Sequence, residues 1–246
     1  MILYTDHEPF VCNVLRARVA DGGLLPGDVW ERDVRTLTAD ELKPYTQVHL
    51  FCGVGGFPLG VQMAGASHVP MVTAGFPCVD ISRMGRRAGV SGERSGLYRA
   101  AIDALRVAPS SYGILENVAA ITERGMGTVL ADLAAIGRNA EWDCLSPCMF
   151  GVRQRRDRCF FVAHPHRRER AESRQRAVLR RQVTPAPFGD GQPVPHGVRV
   201  AQRPSDRVDI GKRIGACANI AVPQVVSLVA RAILSYEATA SERSGG

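Results

Sequence analysis

Cys78 follows Pro77 in the stretch Ala74-Gly75-Phe76-Pro77-Cys78, which joins a reactive side chain to a rigid backbone. Proline fixes its own φ and restrains the residue before it, so the thiol is held by stiff chain. A thiolate is a strong nucleophile, but a free cysteine titrates near ~8.5 and is mostly protonated at neutral pH. It therefore needs positive charge nearby and a reaction that uses it. Glu116 stands in Leu115-Glu116-Asn117-Val118 at the C-terminal end of an apolar run, where open α/β sheets build their sites. Arg156 and Arg158 alternate in a run of basic residues, and Cys52-Gly53-Val54-Gly55-Gly56 follows another apolar run. Strand, glycine-rich turn and helix in succession bring backbone N–H groups to a cofactor. Singly, each feature has an ordinary explanation: a packed thiol, a surface carboxylate, a basic face, a plain turn. Their weight lies in occurring together.

The elements that must position these groups alternate in type. Strands are expected at 2–4, 29–34, 48–51, 71–74, 112–115, 142–145 and 158–163. Helical spacing marks Phe10, Val11, Val14, Leu15 and Val19, a segment near 58–64, then Leu97, Ala101 and Leu105, and Met126 to Ile136. Thr38 and Glu41 are spaced as a capping box. A last helix begins near Val222, with Val225, Val226, Val229 and Ile233 on one face. This alternation predicts an α/β protein on a mainly parallel sheet. The catalytic domain is expected over 1–163 plus 211–236. Residues 164–210, rich in arginine, proline and glycine, form an insert, and 237–246 a disordered tail.

A chain of 246 residues can bury one substantial core. Its net charge of +7 suggests a polyanionic partner, though a GC-rich genome writing arginine for lysine gives the same bias. Lys43 and Lys212 are the only lysines. No apolar run reaches the ~18 residues of a membrane span, and the N-terminus lacks the pattern of a signal peptide. Seven cysteines occur with no CxxC pair and no metal-ligand spacing, so the expectation is a reduced, cytoplasmic protein without a metal. Cys12, Cys52, Cys144, Cys148, Cys159 and Cys217 are assigned to packing.

Together the motifs resemble the DNA cytosine C5-methyltransferase family, which uses S-adenosylmethionine. LFCGVGG (50–56) is similar to the family's cofactor motif, AGFPCVDIS (74–82) to its nucleophile motif, and RRAGVSGERSGLY (86–98) to the continuation. LENV (115–118), GVRQRRDRCFFVA (151–163) and ANIAVPQV (218–225) resemble the Glu-Asn-Val, Gln-x-Arg-x-Arg and C-terminal segments. The resemblance implies a Rossmann-like methyltransferase fold with helices on both faces of the sheet. It implies Cys78 as nucleophile on C6 of a flipped cytosine in double-stranded DNA, Glu116 on N3, and Arg156 and Arg158 on the O2 side. Ser82, Arg83, Arg86 and Arg87 would meet the phosphate backbone. Phe51 would stack on the adenine beside Gly53, Gly55 and Gly56. Asp6 would hold the ribose and Asp33 the adenine amino group, with Pro77, Leu97 and Asn219 completing the pocket.

Four departures stand against the family pattern. The ribose and adenine segments precede the glycine turn instead of following it. His49 stands where an acid is common, a substitution expected to weaken cofactor contacts, and Val79 where glutamine is usual. Ala218 replaces a glycine. The long target-recognition domain is reduced to about residues 164–210, a segment too polar to make much core. Three readings stay open: a short-form DNA enzyme acting as a monomer or with a specificity partner, an RNA (tRNA-type) enzyme, and an inactive nucleic-acid-binding homologue. Restriction-modification is one setting among several.

Overall fold

Apolar residues alternate along the strands, and that alternation builds two layers. The computed structural model describes residues 1–77, 97–150, 156–165 and 221–244. Seven strands are present: β1 (Ile2–Asp6), β2 (Asp28–Glu31), β3 (Gln47–Leu50), β4 (Met71–Gly75), β5 (Tyr112–Val118), β6 (Arg138–Leu145) and β7 (Arg158–Pro165). They form one sheet in the order β2-β1-β3-β4-β5-β7-β6. The first five run parallel, and β7 lies antiparallel to both β5 and β6. In β7, Cys159, Phe161 and Ala163 face one core cluster while Phe160 and Val162 face the other. That is the period of two expected of a strand buried on both sides.

Helices cover both faces. On one side lie α1 (Pro9–Ala20), α3 (Gly56–Met63) and α7 (Pro223–Ser244), whose apolar residues pack with Tyr4, Met71, Ile114 and Val162. On the other lie α2 (Ala39–Leu42), α4 (Tyr98–Val107) and α6 (Met126–Ala135), which meet Leu3, Val72, Leu115 and Phe161. The short α5 (Ile121–Arg124) leads into α6. The expected capping box starts α2: Thr38 Oγ1 accepts from Glu41 N at 3.4 Å, and Glu41 Oε2 accepts from Thr38 N at 3.0 Å. Helices α3 and α7 approach closely at Gly60, where an added Cβ would lie 2.5 Å from Val226 Cβ. The helix that opens at the glycine turn is thus locked to the helix that follows the C-terminal motif.

Several boundaries differ from expectation: β6 starts at Arg138 instead of 142, and β2 ends at Glu31 instead of 34. The tail from 237 is helical to Ser244: its Glu and Ala residues favour helix, and Tyr112 Oη anchors the last turns by donating to Glu237 Oε1 at 2.6 Å. Strand β7 runs to Pro165, past the expected edge at 163, because it keeps pairing with β6 as far as Arg138. The bulk of the 164–210 insert lies outside the described residues. No helix among those described is long and apolar enough to cross a membrane.

The unusual motif order is accommodated by the topology. β1 pairs directly with β3 and β2 with the far side of β1, so residues 32–46 cross from β2 over β1 to reach β3. The end of β1, carrying Asp6, therefore stands beside the glycine turn although it comes first in the chain. Neighbours in the sheet, not in sequence, decide what meets at its C-terminal edge.

Candidate active site

The glycine turn leaves β3 through Phe51, the sole non-glycine residue with positive φ (+50°) among those described. A left-handed conformation costs a bulky residue roughly 1–2 kcal/mol, and such residues cluster at functional sites. Gly53 (φ +53°) and Gly55 (φ +90°) complete the turn, and α3 begins at Gly56. Gly53 N donates to Asp6 Oδ2 at 2.9 Å, and Asp6 Oδ1 accepts from Glu8 N at 3.1 Å. Each carboxylate oxygen keeps a second acceptor site. A Cβ on Gly53 would meet nothing within 4 Å, so there is open space beside the turn.

Phe51 and Leu97 are both half-buried against the cluster that includes Val34. Asp33, the residue before Val34, is engaged: its carboxylate accepts from Arg35 N at 2.9 Å and pairs with the Arg35 guanidinium at 2.5 Å. Those hydrogen bonds hold its pKa down at about 2. A ligand amino group would have to share Asp33 with Arg35.

A second constellation lies one strand pair along. Register places Gly75 of β4 opposite Glu116 of β5, and a Cβ on Gly75 would sit 3.2 Å from Glu116 Oε2. A side chain there would press on the carboxyl and, equally closely, on Phe57. Glu116 is 6% exposed. Its Oε1 lies 2.8 Å from Arg158 Nε as an ion pair, out of line for a good hydrogen bond. Burial raises the Glu116 pKa, and Arg158 and Arg156 pull it back only partly. The carboxyl is thereby disposed to keep a proton. Glu116, Leu145, Pro147, Arg156, Arg158 and Val222 line one small cleft. Its neighbour Asn117 donates from Nδ2 to Phe76 O at 3.1 Å, tying the chain entering Pro77-Cys78 to the strand that carries Glu116.

The structure thus brings Glu116, Arg156 and Arg158 into one cleft and Asp6, Gly53, Gly55 and Gly56 around one turn. Cys78, Ser82, Arg83, Arg86, Arg87 and Asn219 lie outside the described residues. Asn117 was quoted only as part of a motif, and its tether to Phe76 emerges from the fold. Among the other thiols, burial pushes Cys12 up to about 11 and raises Cys52 well above its usual value, as suits packed cysteines.

His49 does not face the turn. It is 1% exposed, stacks on Tyr4 at 5.6 Å and shares a 2.7 Å hydrogen bond through Nδ1 with Thr73 Oγ1. The ring serves the core. Burial lowers its pKa from 6.5 to about 3. The unfolded chain binds the proton first, so His49 contributes stability that is full above 6.5 and is lost as pH falls toward 3. The maximum slope is about 1.4 kcal/mol per pH unit. Urea midpoints between pH 7.5 and 5.5 should fall more steeply for the wild type than for His49→Gln. Equal slopes would show that the imidazole titrates normally.

Residues 67–186 match the family profile C-5 cytosine-specific DNA methylase. The Type II methyltransferase M.BsuFI of Bacillus subtilis is 29% identical over 100 residues, covering 39% of this chain and 24% of the relative. The Type II methyltransferase M.NgoBI of Neisseria gonorrhoeae is 24% identical over 158 residues, covering 48% of this chain and 50% of the relative. The chain therefore spans half or less of the length of these relatives. The S. pombe Dnmt2 methyltransferase superposes with a TM-score of 0.44 at 17% identity, covering 69% of this chain and 43% of that one. The profile match spans the nucleophile, Glu-Asn-Val and arginine motifs, and over those residues the chain is similar to C-5 cytosine-specific DNA methylases.

Proposed function

We propose that the protein transfers a methyl group from S-adenosylmethionine to C5 of cytosine in double-stranded DNA. One observation carries the reading. A buried Glu116 sits against Arg158 and beside Gly75, on the strand that tethers the approach to Cys78.

The residues around the glycine turn fit the cofactor. Gly53 leaves open space, Asp6 keeps acceptor capacity for ribose hydroxyls, and half-buried Phe51 and Leu97 offer an apolar edge for an adenine. When bound, S-adenosylmethionine supplies a methyl group on a sulfonium. The chain's own residues prepare the acceptor. The Cys78 sulfur adds to C6, forming an S–C6 bond and moving the C5–C6 π pair toward C5 and N3. Glu116 hydrogen-bonds or protonates N3 as density builds there. Arg156 and Arg158 hold the O2 side, and their charge favours the Cys78 thiolate. After methylation the C5 proton leaves, the C5–C6 double bond returns and the thiolate is expelled. A target base must first leave the duplex, which costs roughly a few kcal/mol. Ser82, Arg83, Arg86 and Arg87 are the proposed backbone contacts. A restriction-modification setting follows the relatives' Type II naming.

The test is transfer of tritium from labelled S-adenosylmethionine. Duplex DNA should be labelled, with 5-methylcytosine as the digestion product, and tRNA should not. Label confined to tRNA would move the substrate to RNA; label on neither would leave a binding homologue without turnover.

A further inference from the structure

Arg18 lies on α1, a helix to which the family motifs assign no role beyond following Asp6. It nevertheless reaches the glycine turn: its Nη1 donates to Val54 O at 2.5 Å. It does so from a partly buried position beside Tyr4 and Cys52, where burial lowers the guanidinium's pKa. The packing around it is close. A Cβ on Gly55 would lie 3.0 Å from Leu24 Cδ1, 3.2 Å from Arg18 Nη1 and 3.4 Å from Leu15 Cδ2. Leu24 is itself tied back, its N–H donating to Arg18 O at 2.9 Å.

The turn is thus gripped at adjacent residues with opposite polarity. Its Gly53 amide is bonded to Asp6 at the end of β1, and its Val54 carbonyl to Arg18 on the helix that β1 leads into. With the Val54 carbonyl drawn toward α1, Gly55 keeps its left-handed φ of +90° and α3 starts at Gly56. The amides at the start of α3 are then aimed by a bond made from α1, much earlier in the chain. A buried, charge-assisted hydrogen bond is stronger than a neutral one, and an arginine spans this distance from a helix where a shorter side chain falls short.

We propose that Arg18 is a positioning residue for the cofactor: it orients the Val54–Gly56 backbone so that the glycine turn and Asp6 present one preformed surface to S-adenosylmethionine. This rests on the reading of the turn as the cofactor site. Arg18 touches no reacting atom. Its loss should weaken cofactor affinity while leaving turnover at saturating cofactor nearly unchanged.

The experiment compares wild type, Arg18→Met, Arg18→Lys and Arg16→Ala. Arg18→Met keeps the apolar stem and removes the donor. Arg18→Lys restores a donor, and Arg16 is an exposed control on the same helix. Calorimetry with S-adenosylhomocysteine should show roughly tenfold weaker binding for Arg18→Met, partial recovery for Arg18→Lys and no change for Arg16→Ala. Amide exchange without ligand should speed up over residues 53–56 in Arg18→Met, by less in Arg18→Lys and not at all in Arg16→Ala. Unchanged affinity and turn exchange in a folded Arg18→Met would overturn the proposal, as would loss of stability with no local change at the turn. Should Arg18→Met not fold, Arg18→Lys carries the test, since it must bind less tightly than wild type and exchange faster at the turn. A wild type that binds no S-adenosylhomocysteine, yet shows the exchange difference, would instead sink the cofactor reading and leave Arg18 a holder of the turn only.

Discussion

Cys78→Ala is expected to abolish methyl transfer, with turnover lower by on the order of 10⁴–10⁶-fold, as for other enzymes that lose their nucleophile. Cytosine C5 is a poor nucleophile until a group has added at C6, so no other residue can substitute for the sulfur. The variant should fold as the wild type does. The approach to residue 78 is held through Phe76 O by Asn117, and that bond does not involve the thiol. Two measurements separate chemistry from binding. Cys78→Ala should bind S-adenosylhomocysteine as tightly as wild type. On duplex DNA carrying 5-fluorocytosine, only the wild type should form a covalent adduct, because fluorine blocks the elimination that frees the enzyme. Residual turnover above about a hundredth of wild type would remove Cys78 from the mechanism.

Glu116→Gln should lower turnover by about 10²–10⁴-fold, the usual worth of a positioned general acid. Glutamine keeps the shape and can still hydrogen-bond N3, but it has no proton to give. Burial raises the Glu116 pKa above its usual 4.5, against the opposing pull of Arg158 and Arg156. The wild-type rate should therefore fall on the alkaline side as pH passes the raised value, while the variant's low rate stays flat there. The same shift acts on folding. Stability from Glu116 is full below 4.5 and is lost as pH rises through the folded pKa, since the unfolded chain gives up its proton first. Between 4.5 and 6.5 this runs opposite to His49, so the two must be separated with variants and not read from one wild-type curve. A Glu116→Gln protein that keeps more than a tenth of wild-type turnover would end the acid assignment.

The parts of the site readable from the chain were those where residue type alone implies chemistry or backbone shape. A cysteine after proline, a glycine-rich turn after an apolar run and a carboxylate at a strand end declare themselves. Short apolar runs placed all seven strands within a few residues, because strands buried on both faces leave little freedom in sequence. Errors came where tertiary bonds extend an element. Tyr112 anchors Glu237 and carries α7 to Ser244, and pairing with β6 carries β7 to Pro165. Neither partner is near in the chain.

What the sequence by itself determined, then, was an inventory of residue types: a cysteine after proline, a carboxylate at a strand end, two arginines, a glycine turn and the α/β alternation to carry them. Tertiary structure alone decided which of these meet. It put Asp6 beside Gly53 although the motif order is unusual, because parallel strands pair in space and ignore their place in the chain. It turned His49 into the core against Tyr4 and Thr73. It also brought Arg18 onto the Val54 carbonyl. Each of these is a hydrogen bond or packing contact between residues distant in sequence or differently oriented from what their type suggests. No local pattern encodes such a contact, because its energy exists only once the sheet has assembled.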